Sequence, residues 1–554
     1  MKKRGSVTEG NGWMEKKISR RSFLNAIGVG SLSLYCLSGF RVDSVLGAED
    51  ERLLIADPSE MNTLDPMASV DVGRAFYRLN FYDSLVRWRD VPPEIQPWLA
   101  ESWKISKDGL KWTYRLRKGA KFHDGTEIIA KDVVYSTERL LALRLGAASL
   151  FLAALKPGST RAVGKYAVEF NLSSPYAPFE GLLDSLYILN SKVLQAHEKD
   201  GDWGKAWLSA NGTTLGKDGA GSGSYTVEMY NPAVGVDGTK FDDHFWRWNQ
   251  PHTKKIGYRT YSETASRLLA LKKGEIHASL GGYDPWEQIE DLKASPKLKV
   301  ITKPSTRLFY ADLHNQKPPT NDVHIRRAIC YAFNYDSWLK EVQHGMSERN
   351  IGPISNSMWG SLDPQKEFGY EYDLDKARDE LKQATLDIKK YEPIEIGSFV
   401  GYPACQEAAL LLQDGLRRIG VTSNIVQRTW PQFVALQEKL ETAANIAFHW
   451  RSAVYPDPHN WIGEMFDSEK WGSYVAGCYY KNPEVDKLLR KALTTFKKKD
   501  REALYKEASR IVVKDAAGIF VHNENWNAPV NVRVEGIRFC PIGTGNELRW
   551  AYFK

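Results

Sequence analysis

Residues 448–461 read FHWRSAVYPDPHNW and concentrate the side chains best suited to chemistry in this 554-residue chain. Trp450, Trp461 and Tyr455 offer flat aromatic faces, Arg451 and Asn460 offer donors, and His449, His459 and Asp457 are titratable. Two kinds of chemistry suit that set. One is capture, in which aromatic faces sandwich a ligand while a few polar groups orient it. The other is hydrolysis, with Asp457 working beside Glu464 or His449. Hydrolysis has no sequence frame here, because there is no nucleophile elbow, no zinc-binding HExxH and no paired-carboxylate motif. Capture gains a further indole in Trp430, 20 residues ahead of Trp450.

These side chains need a scaffold, and the chain reads as one that alternates strands with helices. Leu110, Trp112, Tyr114 and Leu116 alternate with Lys111, Thr113, Arg115 and Arg117, the pattern of a half-buried strand. Lys118-Gly119 ends it, and His123-Asp124-Gly125-Thr126 makes a second turn. From Ala130 the spacing becomes helical, with Val133, Val134, Thr137, Leu140 and Leu141 on one stripe. Further strands are expected at residues 52–56, 165–172, 308–313, 421–427 and 519–521. The pattern changes after Lys303-Pro304, which reads as a break before the strand at 308. A helix over 264–273 should turn Ala265, Leu268 and Leu269 inward and end at Gly274. Ile325, Ala328, Ile329, Ala332 and Phe333 form the buried stripe of another, capped by Asn321-Asp322. Asp373 caps a helix through Leu374, Ala377 and Leu381, and a longer one carries Cys405, Ala408, Ala409, Leu412, Leu416 and Ile419. Asn482-Pro483 opens a helix with Val485, Leu488, Leu489, Ala492 and Phe496 on one face; Leu504, Ala508, Ile511 and Val512 make the next. Helix followed by strand, repeated, is α/β organisation. The Gly/Ser-rich stretch at 211–224 precedes a strand instead of opening a helix, so it reads as a loop and not a phosphate cradle.

Composition narrows the function classes. The chain is too long for one core and has room for roughly three or four domain-sized units. Its 42% apolar and 26% charged residues are ordinary for a soluble globular protein, while 18 tryptophans are many. Of the formal charge of +7, five units fall in residues 1–48, where eight basic residues face three acidic ones. The near-neutral remainder gives no electrostatic case for nucleic acid. Cys330, Cys405, Cys478 and Cys540 show no metal-ligand spacing; disulfides in an oxidising compartment and buried free thiols both remain open readings. Residues 19–24, SRRSFL, precede an apolar run at 26–40, shorter than the ~20 residues that span a bilayer. This resembles a twin-arginine signal peptide with a cleavage zone at Gly47 and Ala48.

The order LAESW, an Asp-Gly turn, LRKGAKFHDGT and a KDVVYS helix within residues 99–136 carries a resemblance. It is similar to the signature of the family 5 extracellular solute-binding proteins, the peptide-, oligosaccharide- and nickel-chelate-binding components of ABC importers. Leu64-Asp65-Pro66, Phe245-Trp246, Gly274-Glu275-Ile276, Arg326-Arg327 and NPEVDKLLRKA extend it over residues 53–536. The resemblance implies an α/β, two-lobed fold of the periplasmic-binding-protein type II kind, with an extra domain and mixed β-sheets flanked by helices. The implied segments are a twin-arginine-type signal peptide (1–48), the first part of lobe 1 (49–86) and an inserted second domain packed on lobe 1 (87–205). The second part of lobe 1 (206–305), lobe 2 (306–515) and the C-terminal part of lobe 1 (516–554) follow. Chain crossings are expected near 303–308 and 515–519.

The same resemblance implies a ligand cleft lined by Trp450, Arg451, Tyr455, Asn460, Trp461, Trp430, Asn62 and Leu64. It implies a receptor and not an enzyme, with no cofactor and no metal. Its partners are a small-molecule or peptide solute, an ABC permease in the inner membrane and the twin-arginine export machinery, with no nucleic acid. A monomeric periplasmic protein, soluble after signal cleavage, is expected. Peptide-binding members place an aspartate in the 450–458 loop to pair the peptide's α-ammonium; here that place is Ala453 or Val454. Neither can pair a cation, and burying an unpaired ammonium is costly. Oligosaccharide gains from the many tryptophans, and a nickel chelate could use His449 or His459. Replacing Arg20 and Arg21 together by Lys should block export, measured as the fraction of processed protein outside the cytoplasm; normal export of that variant would mark an ordinary secretory signal.

Overall fold

The computed structural model describes residues 51–61, 63–68, 75–209, 219–281, 286–400, 402–541 and 545–554. The expected signal peptide, Asn62 and most of the Gly/Ser-rich loop lie outside the described residues. An eleven-stranded sheet organises the chain. Its strands are β1 (Arg52–Asp57), β2 (Tyr225–Asn231), β3 (Gly235–Lys240), β4 (Lys255–Thr260), β5 (Ala278–Ser279) and β6 (Leu298–Leu313). They continue with β7 (Glu348–Arg349), β8 (Ile394–Phe399), β9 (Ser423–Arg428), β10 (Ile446–Arg451) and β11 (Gly518–Asn531). Across the sheet they run β9-β8-β10-β6-β11-β5-β1-β4-β3-β2, with β7 paired to β11 beside this path.

The sheet is mixed in a way that defines two halves. At one end β8 is parallel to both β9 and β10. At the other β1 is parallel to β4 and β5. The long antiparallel pair β6 and β11 joins them. Leu308, Phe309, Tyr310 and Leu313 of β6 and Ile519 and Val521 of β11 lie in a core built mostly from residues 308–521. Trp526, Ala528 and Val530 of β11 lie in a second core built mostly from residues 53–280. One strand pair thus threads both cores.

A separate antiparallel sheet orders Ala100–Ile105, Lys111–Leu116, Ala167–Asn171 and Thr160–Ala162. As the alternation requires, Trp112, Tyr114 and Leu116 are buried. Helix Ala130–Leu143 covers it, started by the Asp132 carboxylate, which accepts the Ile129 N–H at 2.9 Å, and ended by Arg144 in the left-handed region at φ 52°. From this helix Arg139 donates to both oxygens of Asp65, at 3.0 and 2.6 Å. Both side chains are fully buried, so Asp65 of the Leu-Asp-Pro turn anchors the inserted sheet to the first loop.

Helices follow their local signals closely. Asp322, Asp373 and Asn482 cap the helices Val323–Ala332, Leu374–Gln383 and Pro483–Thr494. Helix Pro403–Arg418 buries Cys405, Ala408, Ala409, Leu412 and Leu416, and Gly415 is required where the Ala332 carbonyl would collide with any Cβ. Three expectations are corrected. Ala265 and Leu269 of helix Thr264–Lys273 are exposed, Leu269 at 51%, because the inward face is made by Arg267, Leu268 and Leu271. Buried Arg267 donates to Ser279 Oγ and the Tyr261 carbonyl, which fixes that face. Phe496 lies beyond its helix with its ring 6.0 Å from Trp112 of the inserted sheet. The strands expected at 308–313 and 519–521 are the ends of much longer ones, because β6 continues through Pro304 by a bulge.

The thiols of Cys330, Cys405, Cys478 and Cys540 are buried and in no disulfide, each against a backbone carbonyl. Among the described residues no helix is long and apolar enough to cross a membrane. Burial also pushes the imidazoles of His123, His314 and His459 down to about 4 and that of His522 to about 3. Exposed histidine titrates near ~6.5, so as pH falls the unfolded chain gains protons that the folded chain refuses. Their contribution is complete above about pH 6.5 and is lost progressively toward about pH 4. Thermal melts across that window should show a steady fall in Tm; a flat Tm would contradict neutral, buried imidazoles.

Candidate ligand cleft

The parallel strands β8, β9 and β10 end together at Phe399, Arg428 and Arg451. In open α/β sheets, ligands bind outside the carboxyl ends of such strands. The residues that follow or close them here form an apolar ledge. Val400 is 57% exposed, Tyr402 43% and Trp430 37%. Trp450, half-buried, completes it. Trp430 is set at the start of helix Trp430–Gln437 by a capping box between Thr429 and Gln432. Its ring packs 5.4 Å from Phe399 and 5.5 Å from Tyr474. Trp450 lies opposite Phe309 of β6, and its ring is 5.1 Å from Tyr402.

Charge reaches the ledge from the crossing strands. The register of β6 and β11 shifts between Pro304 and Leu308, and Arg307 projects from that bulge. Its guanidinium lies 4.5 Å over the Trp450 ring and pairs with Glu524 of β11 at 3.1 Å. Burial raises the Glu524 carboxyl, with Arg307 pulling it back. In the other half, β4, β1 and β5 also end together, at Thr260, Asp57 and Ser279. Asp57 accepts from the Ser59 N–H at 2.8 Å, and burial raises its carboxyl. Glu60 just beyond is exposed.

Arg451 and Asn460 spend their hydrogen bonds within the 451–461 loop. Arg451 Nε and Nη2 both donate to the Asn460 carbonyl, at 3.0 and 2.6 Å, and Asn460 Oδ1 accepts the Val454 N–H at 2.9 Å. Asp457 caps His459 and pairs with Arg501 at 2.8 Å. Trp461 is fully buried in the same core as β10, and Tyr455 is fully buried in the other core. Leu64 is likewise buried, while Asn62 lies outside the described residues. Of the eight expected ligand residues, the structure brings Trp450 and Trp430 onto the ledge and leaves Arg451, Tyr455, Asn460, Trp461 and Leu64 to hold the loops. Val400, Tyr402 and Arg307 are additions. Tyr402 was findable as the residue between a strand end and Pro403; Arg307 depends on a bulge with no sequence signature.

The histidines have structural partners. His449 Nε2 lies 2.8 Å from Asp312, both buried, and His459 is buried and kept neutral. Neither is placed to take a chelate, and among the described residues no group of three or more His, Cys, Asp or Glu could hold a metal. Asp457 and His449 answer to different partners, Arg501 and Asp312, so these two are not paired with one another.

Two halves of one mixed sheet, each ending its parallel strands beside a single crossing pair, define a two-lobed α/β solute receptor of the periplasmic-binding-protein type II kind. Residues 94–473 match the family described as bacterial extracellular solute-binding proteins, family 5 Middle. The chain belongs to that family, whose members serve ABC importers. It is 30% identical over 536 residues to the "Probable D,D-dipeptide-binding periplasmic protein DdpA" of Escherichia coli, covering 96% of this chain and 98% of the relative. It is 27% identical over 489 residues to the dipeptide-binding protein of the same organism, covering 83% and 87%. Among solved structures it is similar to the periplasmic binding protein DppA from Helicobacter pylori in complex with the peptide STSA. That match has 26% identity and a TM-score of 0.73, over 91% of this chain and 98% of that one.

The burial contrast separates the two indoles of the loop pair. Trp461→Ala should cost roughly 3–5 kcal/mol of stability, as large buried aromatics do. Trp430→Ala, a third exposed, should cost much less. Denaturant titration of both checks it, and equal losses would place Trp430 in the core.

Proposed function

We propose that this receptor captures a peptide-like solute by stacking it on the ledge of Trp450, Tyr402 and Trp430, with Arg307 at its edge. The observation that carries this reading is the exposed aromatic row at the carboxyl ends of β8, β9 and β10, beside the crossing strands. Peptide chemistry is supported by the relatives, whose names specify dipeptides. Ala453 and Val454, at the expected ammonium position, favour solutes that do not depend on a free amino terminus; Ala453 is itself buried. The remaining expected residues that are described, Arg451, Tyr455, Asn460, Trp461 and Leu64, shape the loops around the solute.

The reading extends to the whole chain. Lobe 1 comprises residues 49–86, 206–305 and 516–554, lobe 2 residues 306–515, and the inserted domain residues 87–205. The separate cores and the Asp65–Arg139 anchor support that division. The protein is a monomeric receptor without enzymatic activity, exported by a twin-arginine signal and cleaved to a soluble periplasmic form. It hands its solute to an inner-membrane ABC permease.

D-alanyl-D-alanine is the first solute to test, by titration calorimetry with recovery of the ligand for mass spectrometry. Stoichiometric binding, an intact ligand and an affinity little changed by N-acetylation are expected. Trp450→Ala should weaken binding at least about tenfold, close to 1.4 kcal/mol, with a smaller loss of stability than Trp461→Ala. Turnover would turn the reading to a hydrolase. Binding of cello-oligosaccharides in place of peptides would make it a sugar receptor. Strict need for a free amino group would mean another residue supplies the counter-ion.

A further inference from the structure

Away from the ledge, an open cavity of about 350 Å³ lies in the first half of the molecule. Its apolar walls are Phe245, Trp246 and Trp550, and its polar lining includes Arg247, Arg538 and Gln250. Among the described residues that line it there is no carboxylate. Gln250 Nε2 is buried without an acceptor.

The cavity is the outer end of a ladder of guanidinium groups and indoles. Arg549 lies 4.4 Å from the Trp98 ring, and Arg89 lies 4.9 Å from Trp98 and 4.8 Å from Trp550. Arg538 lies 3.9 Å from Trp550 on the cavity side. Trp246 stacks on Trp98 at 5.2 Å and meets Trp550 edge-on at 6.1 Å. With Arg87, the ladder holds four guanidinium groups; Asp83, Asp184 and Glu547 pair with Arg87 and Arg89, and Glu547 and Asp90 act on Arg538 at its outer end. Arg549 is 1% exposed, and none of its three guanidinium nitrogens has a hydrogen-bond partner. Burial lowers it only to about 10, so it stays charged at neutral pH. At the cavity, burial and then the nearby Arg89 disfavour the charge of Arg538, with Glu547 and Asp90 acting the other way. An anion there meets two guanidinium groups and no carboxylate in the described lining, and a planar carboxylate suits both the guanidinium fork and the indole faces.

We propose that this cavity is a second binding site, separate from the solute cleft, for a small aromatic carboxylate held by Arg538 and Arg247 against the indoles of Trp246 and Trp550. Titration calorimetry with 1-naphthoate tests it, with the neutral 1-naphthalenemethanol as control. One carboxylate should bind per chain, with the alcohol at least about tenfold weaker. Arg538→Gln and Trp246→Leu, both at exposed positions, should each weaken 1-naphthoate at least about tenfold while leaving Tm near that of the parent. Trp450→Ala should leave 1-naphthoate affinity unchanged, which separates this site from the cleft. No binding at millimolar 1-naphthoate, equal affinity for the alcohol, or indifference to Arg538→Gln would overturn the proposal. Loss in Trp450→Ala would overturn it too, by placing the probe on the ledge.

Discussion

The pairing of β6 with β11 is the constraint on which the rest depends. From Leu298 opposite Asn531 to Asp312 opposite Gly518 the two strands hold one another through both cores. Their ladder shifts register twice, between Phe309 and Tyr310 and, more widely, between Pro304 and Leu308, where Pro304 cannot donate and the bulge inserts extra residues. Side chains satisfy the backbone there. Ser305 Oγ donates to the Glu524 carbonyl at 2.6 Å, Asn523 Nδ2 to the Ser305 carbonyl at 2.6 Å, and Thr306 Oγ1 to the Pro541 carbonyl at 2.7 Å. A buried two-stranded connection can change direction at such a point without stranding polar groups. The same bulge places Arg307 over the Trp450 ring, so the break in the ladder and the charged edge of the ledge share one irregularity.

Around that pair, charge is used mainly for construction. Arg139 with Asp65, and Arg501 with Asp457, are buried pairs that fix a loop against a helix. Removing either partner from such a pair is costly, since it leaves a buried charge unmatched. The ledge, by contrast, carries one guanidinium beside four apolar or aromatic side chains. On the proposed reading, recognition there comes from surface and shape, with electrostatics at the margin.

Local features of this fold were legible in the sequence because they depend on neighbours three or four residues away. The caps at Asp322, Asp373 and Asn482 and the stripe from Cys405 to Leu416 are of that kind. The stretch HNENWN in β11 carries no strand signal of its own; it is a strand because β6 supplies its partners. Leu269 and Arg267 exchange the expected faces because acceptors from β5 and from Tyr261 reach the arginine. Trp450 and Trp461 look alike on paper. Pairing with Phe309 holds the first at a strand end, whereas helix Ile462–Phe466 draws the second into the core. The candidate site was thus readable to the level of a loop, and the choice among its side chains was made by tertiary packing.

The four thiols carry a consequence for how the chain matures. Each donates to a carbonyl of its own core, and burial keeps Cys330, Cys405 and Cys478 protonated. The thiolate is the form that attacks disulfides and binds metals, so these sulfurs are chemically silent. Among the described residues no disulfide ties the cores together. Packing around these four sulfurs is therefore indifferent to redox potential, and the described cores can close on the reducing side of a membrane as readily as on the oxidising side.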